Sequence, residues 1–243
     1  MRLSRLYTNT ALHLHETVSL DDENAHYARS VLRLKNGAYI ILFNGCGGEF
    51  LGNVVEASRK NVRVTLQEFI ERSVESHLKI HIGLGISRGD RMDFSVQKAV
   101  ELGATKMTPL VTERCVVQFR EEKKSQRWLH WQKIIQHATE QSGRTVLPAF
   151  DPISTLGEWT GQQQSGLRIF LDPQATLSLA QLSPDGGEVT LLTGPEGGFS
   201  NAEREMAISA GFVPVRLGAR ILRTETASLA ALAAVQMLWG DFK

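Results

Sequence analysis

The sequence is poor in the features that mark secreted and membrane proteins. It holds only 2 cysteines, Cys46 and Cys115, in 243 residues, which is too few for the disulfide framework of a small secreted domain. Its first residues lack the apolar core of a signal peptide, and no apolar run approaches the roughly 20 residues of a membrane span. We therefore expect a cytoplasmic protein with free thiols and no membrane association.

Strong net charge and the common nucleotide and metal motifs are also missing. The formal net charge is +1, so a surface for nucleic acid would have to come from a local basic patch. Neither a P-loop nor a Gly-x-Gly-x-x-Gly fingerprint is present. The 7 histidines show no ligand spacing and the cysteines lie far apart, so we expect no metal.

The pattern of the first 70 residues predicts a small β domain. Strand-like apolar runs at residues 38–43, 49–56 and 62–66 are separated by short turns, and the last run alternates at period two. This spacing favours a small barrel. A helix is predicted over residues 21–33, with acidic residues in its first turn and arginines near its end.

The rest of the chain alternates strand and helix after a polar linker at residues 71–76. The pattern predicts strands at residues 78–86, 106–111, 167–171, 189–193 and 212–217, and helices at 91–102, 124–141, 154–160, 200–210 and 224–239. Such alternation is typical of an α/β domain with a mostly parallel sheet and helices on both faces. We expect two domains, residues 1–72 and 73–243.

The last predicted helix is apolar almost all round. Residues 227–239 consist mainly of alanine, leucine, valine and methionine, whereas a surface helix shows a single apolar stripe. Two interpretations remain open. The helix lies at the centre of the core, or it packs on the core with one face and on a second subunit with the other.

Two turns near the C-terminus could form two walls of one pocket. In each, residues 191–200 and 217–227, an apolar run ends in a turn rich in glycine or arginine that leads into a helix. Glycines before a helix N-terminus expose backbone N–H groups at the ligand-binding edge of a parallel sheet. Arg220, Arg223 and Glu225 stand at the mouth of this pocket. The alternatives are a plain strand–helix connection and surface ion pairs, which contribute little.

The same two turns resemble the C-terminal motifs of a known enzyme family. Residues 192–200 read LTGPEGGFS and residues 217–227 read LGARILRTETA, which resembles the knotted SPOUT-class methyltransferases. Residues 26–34, 87–92, 101–104, 112–115 and 140–144 resemble further motifs of the branch that methylates N3 of a uridine in 16S rRNA. The resemblance covers nearly the whole chain, in the expected order.

The resemblance implies a fold, a cofactor and partners. The fold is a PUA-like β-barrel that helps to bind RNA, followed by an α/β domain with a deep trefoil knot. The cofactor is S-adenosylmethionine, which leaves as S-adenosylhomocysteine. The partners are 16S rRNA, within the small ribosomal subunit, and a second copy of the chain. The implied cofactor-binding residues are Leu171, Gly194, Pro195, Glu196, Gly197, Gly198, Leu217, Gly218, Ile221, Leu222 and Arg223.

The resemblance also suggests which residues carry the chemistry. The proton on uracil N3 must leave, so a base or a group that stabilises the anion is required. Arginines could hold phosphate or the developing oxyanion, and the glutamates could act as bases or orient the arginines. The catalytic candidates are Arg88, Arg114, Arg223, Glu196 and Glu225.

A basic face in the first domain would contact RNA, although a solvated surface is the alternative. The RNA-binding candidates on this face are Arg2, Arg5, Arg29 and Arg33, and Arg144 of the second domain is a further candidate that could hold phosphate. Two other functions remain open, a SPOUT methyltransferase acting on a tRNA ribose 2′-hydroxyl and a non-catalytic rRNA-binding assembly factor. The intact glycines and the Arg223–Glu225 pair argue against the non-catalytic function.

Overall fold

The structure, a computed structural model, describes residues 3–58, 61–115, 121–162 and 165–242. The chain divides into two compact units. The first consists of Met1–Glu75 and Thr139–Leu147, and the second of Ser76–Ala138 and Pro148–Lys243. A later segment of the chain therefore groups with the first unit, which the sequence division at residue 72 does not include.

The first unit is built on a five-stranded sheet in the order β1-β3-β4-β5-β2. The strands are β1 (Arg5–Tyr7), β2 (Thr17–Ser19), β3 (Tyr39–Phe43), β4 (Glu49–Ala57) and β5 (Val62–Ile70). β1 pairs with β3 in parallel and the other pairs are antiparallel. Side chains from alternate positions of β4 and β5, including Val54, Val62, Val64 and Leu66, form an apolar core that is closed from solvent.

Helix α1 (Asp22–Ser30) is the helix of the first unit that the sequence predicts. The side chain of Asp21 accepts a hydrogen bond from the Asn24 backbone N over 2.8 Å and so caps the helix. The helix ends at Ser30, three residues earlier than predicted. Arg33 has a positive φ of 54°, which is incompatible with a continued right-handed helix.

The second unit contains a sheet whose strand pairs are all parallel, as the alternating pattern predicts. The order is β12-β10-β11-β6-β7-β8, with β9 also paired to β7. The strands are β6 (Lys79–Gly85), β7 (Lys106–Val111), β8 (Ala149–Phe150), β9 (Ser154–Thr155), β10 (Leu167–Leu171), β11 (Glu188–Thr193) and β12 (Val213–Val215). Its central strands β6 and β11 are buried along almost their full length, which is typical of a sheet covered on both faces.

The helices of this part of the chain mostly begin and end near the predicted residues. They are α2 (Gly89–Glu101), α3 (Glu121–Ser142), α4 (Leu156–Gly161), α5 (Asn201–Ser209), α6 (Thr224–Trp239) and a short 3-10 turn (Leu179–Gln181). The predicted capping box at Ser200 and Glu203 is confirmed. The predicted start of α4 at Ser154 is wrong, because Thr155 has extended backbone and serves as the N-cap.

Helix α6 has one buried face and one partly exposed face. Ser228, Ala231, Leu232, Val235 and Gln236 are buried, and the helix packs against α2. On the other side the side chains are apolar but reach solvent, and Met237 is 60% exposed. The interpretation of α6 as a helix at the centre of the core is therefore wrong for a single chain.

Candidate functional site

A cavity of about 750 Å³ opens in the second unit, where the chain leaves three neighbouring parallel strands. Its walls are the segments that follow β10, β11 and β12, together with the start of α6. The carboxyl ends of parallel strands meet at the same edge of a sheet, and ligands bind there in α/β proteins. The volume lies within the range of about 300–1,000 Å³ that is usual for small-molecule sites.

The glycine-rich turn after β11 forms the first wall. The Gly198 backbone N donates to the Pro195 carbonyl over 2.9 Å and closes the turn, and Gly198 has a φ of 65°. The Ser200 side chain then accepts a hydrogen bond from the Glu203 backbone N over 3.2 Å and starts α5. The turn is thus fixed by its own backbone and by the helix that follows it.

Two glycines allow the chain to pack closely around this turn. A Cβ atom on Gly85, at the end of β6, would lie 2.5 Å from the Pro195 backbone N. A Cβ atom on Gly197 would lie 2.8 Å from the Arg114 Cβ. Side chains at either position would displace the turn, so glycine is required there for close approach.

Glu196 joins the glycine-rich turn to the start of α2. Its Oε1 accepts hydrogen bonds from the Arg88 backbone N over 3.0 Å and from Arg91 Nη1 over 3.3 Å. Arg88 is the N-cap residue of α2, and its own side chain makes no capping hydrogen bond. The carboxylate of Glu196 therefore caps the helix in its place. Its Oε2 is buried and has no hydrogen-bond partner among the described residues.

The second wall is the segment from β12 to α6. The Arg216 backbone N donates to the Leu177 carbonyl over 2.9 Å, and the Ala227 backbone N donates to the Arg223 carbonyl over 2.8 Å. Between these two anchors Gly218 turns the chain with a φ of 75°. The side chains of Arg216, Arg220 and Arg223 are exposed.

A third wall follows β10. Asp172 is buried, and its Oδ2 lies 2.6 Å from Arg204 Nη2 of α5. Its Oδ1 accepts a hydrogen bond from the Gln174 backbone N over 2.9 Å. This ion pair fixes the segment at residues 172–174 beside α5.

All of the cofactor-binding candidates lie on this one cavity. The lining includes Leu171, Gly194, Pro195, Glu196, Gly197, Gly198, Leu217, Gly218, Ile221, Leu222 and Arg223. Three of the catalytic candidates, Arg114, Glu196 and Arg223, line it as well. The structure thus brings together two turns that are about 20 residues apart in the sequence.

Two catalytic candidates, Arg88 and Glu225, do not line the cavity. Arg88 contributes its backbone N–H to Glu196, and its side chain is exposed. Glu225 lies in the first turn of α6, and its Oε2 is buried without a hydrogen-bond partner among the described residues. Glu225 adjoins the cavity through its neighbour Thr224, and Arg88 adjoins it through the hydrogen bond to the lining residue Glu196.

Several polar residues of the cavity were not predicted from the sequence. Arg91, Asp172, Arg204 and Arg216 line it and were not selected. Asp172 follows β10 directly and Arg216 follows β12 directly. A polar residue at the carboxyl end of a predicted parallel strand was the available signal for both.

Two RNA-binding candidates are buried in ion pairs of the first unit. Arg5 Nη1 lies 2.9 Å from Glu49 Oε2, and both side chains are less than a tenth exposed. Arg144 is 4% exposed, and its Nε donates to the Glu75 carboxylate. Arg5 also donates to the Arg144 carbonyl over 2.8 Å. This placement corrects the expectation of a solvent-facing role for Arg5 and Arg144, because both guanidinium groups hold the first unit together.

The remaining RNA-binding candidates differ in their surroundings. Arg33 is exposed, whereas Arg29 donates hydrogen bonds to the carbonyls of Ala25 and Ser58. Arg2 lies outside the described residues. Among the described residues, none of the helices qualifies as a membrane span, and no cluster of potential metal ligands is found.

Comparison with known proteins defines the class to which this fold and cavity belong. The family model described as RNA methyltransferase domain matches residues 74–236, and the model described as RNA methyltransferase PUA domain matches residues 20–67. The first match includes every residue that lines the cavity. The chain belongs to the ribosomal RNA small subunit methyltransferase E family.

Relatives and solved structures match along almost the whole chain. The ribosomal RNA small subunit methyltransferase E of Buchnera aphidicola is 35% identical over 243 residues, which cover 100% of this chain and 96% of the relative. The enzyme of the same name from Bacillus subtilis is 29% identical over 238 residues, or 93% of each chain.

Two of the solved structures are described with a bound cofactor. The ribosomal RNA small subunit methyltransferase E of Neisseria gonorrhoeae, bound to S-adenosyl methionine, matches with a TM-score of 0.93 and 36% identity, covering 100% of both chains. A Legionella pneumophila protein in complex with the bound cofactor SAM matches with a TM-score of 0.97 and 35% identity, again covering 100% of both chains.

Proposed function

We propose that the protein uses S-adenosylmethionine to methylate N3 of a uridine in the 16S rRNA of the small ribosomal subunit. The observation that supports this proposal is the meeting of the glycine-rich turn and the segment from β12 to α6 around one cavity. The names of the relatives and the cofactor of the two solved structures support the same reaction class.

The residues of the cavity fit this cofactor. Residues 194–198 and 217–222 line it. Their backbone N–H and C=O groups can read the edge of an adenine, since polar groups on the main chain require partners. Glu196 Oε2 is buried without a hydrogen-bond partner among the described residues. A ligand that carries hydroxyl and ammonium groups supplies the donor that this oxygen requires.

When bound, S-adenosylmethionine supplies an activated methyl group on a sulfonium and leaves as S-adenosylhomocysteine. The protein's own task is to align the uracil nitrogen with that methyl group. Arg223 and Arg114 line the cavity and stabilise the negative charge that uracil acquires as N3 loses its proton. Glu225, two residues after Arg223, lies next to the lining residue Thr224 rather than in the lining itself, and we propose it as the acceptor of that proton. Its Oε2 makes no hydrogen bond with the described residues.

The finer features of the fold belong to the same proposal. We infer that the segments 194–198 and 217–227 form the loops of a deep trefoil knot, and that the sheet of the first unit closes into a PUA-like barrel. The resemblance of both motifs to the SPOUT class supports the knot, and the PUA family match at residues 20–67 supports the barrel. The domain boundary between residues 72 and 73 remains a prediction. Arg29 and Arg33 of the first unit are the proposed RNA contacts there.

The exposed apolar face of α6 supports a homodimer. Ala230, Ala233, Ala234 and Met237 follow each other at helical spacing and are at least partly exposed. Small residues allow a second helix to approach closely, and an unburied apolar stripe of this kind marks an interaction surface. We infer that the stripe packs on the same stripe of a second copy, as a two-fold interface requires.

A binding and methylation experiment tests the proposed function. Calorimetry should show that the protein binds S-adenosylhomocysteine, and the protein should transfer a labelled methyl group to small ribosomal subunits from cells that lack the enzyme. Arg223→Ala should bind S-adenosylhomocysteine but transfer methyl groups at least about 100-fold more slowly. Absence of both binding and transfer in the wild type would contradict the proposal.

A further inference from the structure

Six arginines line the cavity, and three of them are held by the protein itself. Arg91 lies 3.3 Å from Glu196 Oε1, and Arg204 lies 2.6 Å from Asp172 Oδ2. Arg114 Nη1 donates to the Gly197 carbonyl over 3.1 Å. These three side chains fix the walls. The lining contains two carboxylates, Asp172 and Glu196, which pair with Arg204 and Arg91, respectively.

The other three arginines lie together on the segment between β12 and α6. Arg216, Arg220 and Arg223 are exposed. None of them lies within ion-pair distance of a carboxylate among residues 3–58, 61–115, 121–162 and 165–242. The Arg216 backbone N donates a hydrogen bond and the Arg223 carbonyl accepts one, so the backbone is anchored at both ends of the segment. This segment therefore presents three positive charges from an anchored backbone, with no counter-charge from the described part of the protein.

The cofactor alone does not explain this excess of positive charge. S-adenosylmethionine carries a sulfonium and an ammonium against a single carboxylate, so its net charge is positive. A cationic ligand does not neutralise these arginines, so an anionic group of another ligand is their expected partner. The anionic groups of RNA are its phosphates, and guanidinium groups bind phosphate with two parallel hydrogen bonds.

We propose that Arg216 and Arg220 bind backbone phosphates of the RNA strand next to the target nucleotide. This inference rests on the proposed function, because it assigns a phosphate site to the substrate of that reaction. Arg223 precedes α6 directly and acts on the uracil itself, whereas Arg216 and Arg220 act on the strand that carries it. The methyltransferase domain then holds its RNA through its own arginines, in addition to any contacts of the first unit.

The variants Arg216→Gln and Arg220→Gln, alone and combined, test this site. Arg127→Gln is the matched control, because Arg127 is an exposed arginine of α3 that does not line the cavity. The probe is the small ribosomal subunit with unmethylated 16S rRNA, titrated between about 50 and 200 mM KCl at constant Mg²⁺. Binding of S-adenosylhomocysteine is measured for every variant by calorimetry.

Each single variant should weaken binding of the subunit by about tenfold at the lowest salt, since a hydrogen-bonded charged group is lost. The slope of log affinity against log salt should fall by about 0.7 for each arginine removed, the value for single-stranded nucleic acid. The KM for the subunit should rise while kcat at saturating subunit is retained. S-adenosylhomocysteine should bind with its wild-type affinity, and Arg127→Gln should match the wild type in every measurement.

Three results would overturn the phosphate site. An unchanged salt slope in the double variant would show that no phosphate contact was lost. A weakened affinity for S-adenosylhomocysteine would assign the arginines to the cofactor's carboxylate, and a shift towards monomer in sedimentation would assign them to a subunit contact. Failure of the proposed function is read separately from the wild type, which would then neither bind S-adenosylhomocysteine nor methylate the subunit.

Discussion

Glu196 Oε1 accepts a hydrogen bond from the backbone N–H of Arg88 over 3.0 Å, although the two residues are 108 positions apart. One is the middle of the glycine-rich turn and the other is the N-cap of α2. The carboxylate satisfies a backbone donor that the helix leaves unpaired, and its negative charge is favourable at a helix N-terminus. The shape of the turn and the start of α2 are therefore coupled, which gives Glu196 a positioning role.

Glu196→Ala should lower the free energy of unfolding by about 1 kcal/mol, the usual loss for a removed helix cap. It should also weaken binding of S-adenosylhomocysteine, because the turn loses its anchor. Glu196→Gln keeps an oxygen that can accept from Arg88 N and loses only the partly exposed ion pair with Arg91, so it should retain most of the stability. Urea denaturation and calorimetry measure both effects. If Glu196→Gln keeps stability and cofactor affinity but loses turnover, Glu196 takes part in the chemistry itself.

Gly85→Ala should displace the glycine-rich turn. The added methyl group would lie 2.5 Å from the Pro195 backbone N and 2.7 Å from the Gly194 carbonyl carbon, and neither backbone atom can move without moving the turn. We expect a loss of about 1–3 kcal/mol in the free energy of unfolding, as for other overpacked sites, and a raised dissociation constant for S-adenosylhomocysteine.

Gly161→Ala is the matched control for Gly85→Ala. A Cβ atom on Gly161 meets nothing within 4 Å, and the residue ends α4. Its affinity for S-adenosylhomocysteine should equal that of the wild type. Equal affinities for the two variants would contradict the close approach of β6 to the turn as a requirement of the site.

Arg144→Ala should destabilise the protein by about 3 kcal/mol, because it leaves the Glu75 carboxylate without its buried partner. The ion pair is short, with Arg144 Nη2 at 2.5 Å from Glu75 Oε2. Arg33→Ala removes an exposed side chain and should change the free energy of unfolding by less than about 0.5 kcal/mol. Urea denaturation measures the free energy of unfolding of both variants.

The effects of Arg33→Ala and Arg144→Ala on RNA binding should rank in the opposite order to their effects on stability. At temperatures where both are folded, Arg33→Ala should weaken binding to small ribosomal subunits more than Arg144→Ala does. The reverse order would restore Arg144 as an RNA contact and contradict its assignment to the fold.

Met237→Glu should convert a dimer to a monomer. Met237 is 60% exposed in the single chain, so the carboxylate costs little in the monomer but would be buried without a partner at the α6 interface. Leu129→Glu is the matched control, because Leu129 is an exposed leucine of α3 at 54%. Sedimentation equilibrium should show a monomer for the first variant and the wild-type state for the second. A wild-type protein that is monomeric at micromolar concentration would contradict the dimer.

The parallel sheet and the two turns that wall the cavity could be predicted from the sequence because both depend on local signals. β7 and α6 begin and end at the predicted residues, since apolar runs, glycines and helix caps mark their ends directly. The two glycine-containing turns follow β11 and β12, which lie on either side of β10 in the sheet, so placing them at one edge required only the parallel order. The N3 position on uracil rests on the family resemblance, because periodicity and spacing carry no information about a substrate atom.

Other features depend on contacts between distant residues and gave no local signal. β1 and β2 are three residues long, too short for an alternating pattern to be recognised. The sequence suggests that Arg5 and Arg144 are surface cations, but both are buried in ion pairs with Glu49 and Glu75. These partners lie too far away in the sequence for a spacing rule to predict the pairs. The cap that Glu196 provides for α2 was hidden for the same reason.

Mass spectrometric mapping of the methylated nucleotide identifies the atom that receives the methyl group. Small ribosomal subunits from cells that lack the enzyme are incubated with the purified protein and S-adenosylmethionine, and the rRNA is digested to nucleosides and to sequenced fragments. We expect a single 3-methyluridine in 16S rRNA, formed by the wild type and not by Arg223→Ala. A methyl group on a ribose 2′-hydroxyl, or on no nucleotide of this rRNA, would contradict it.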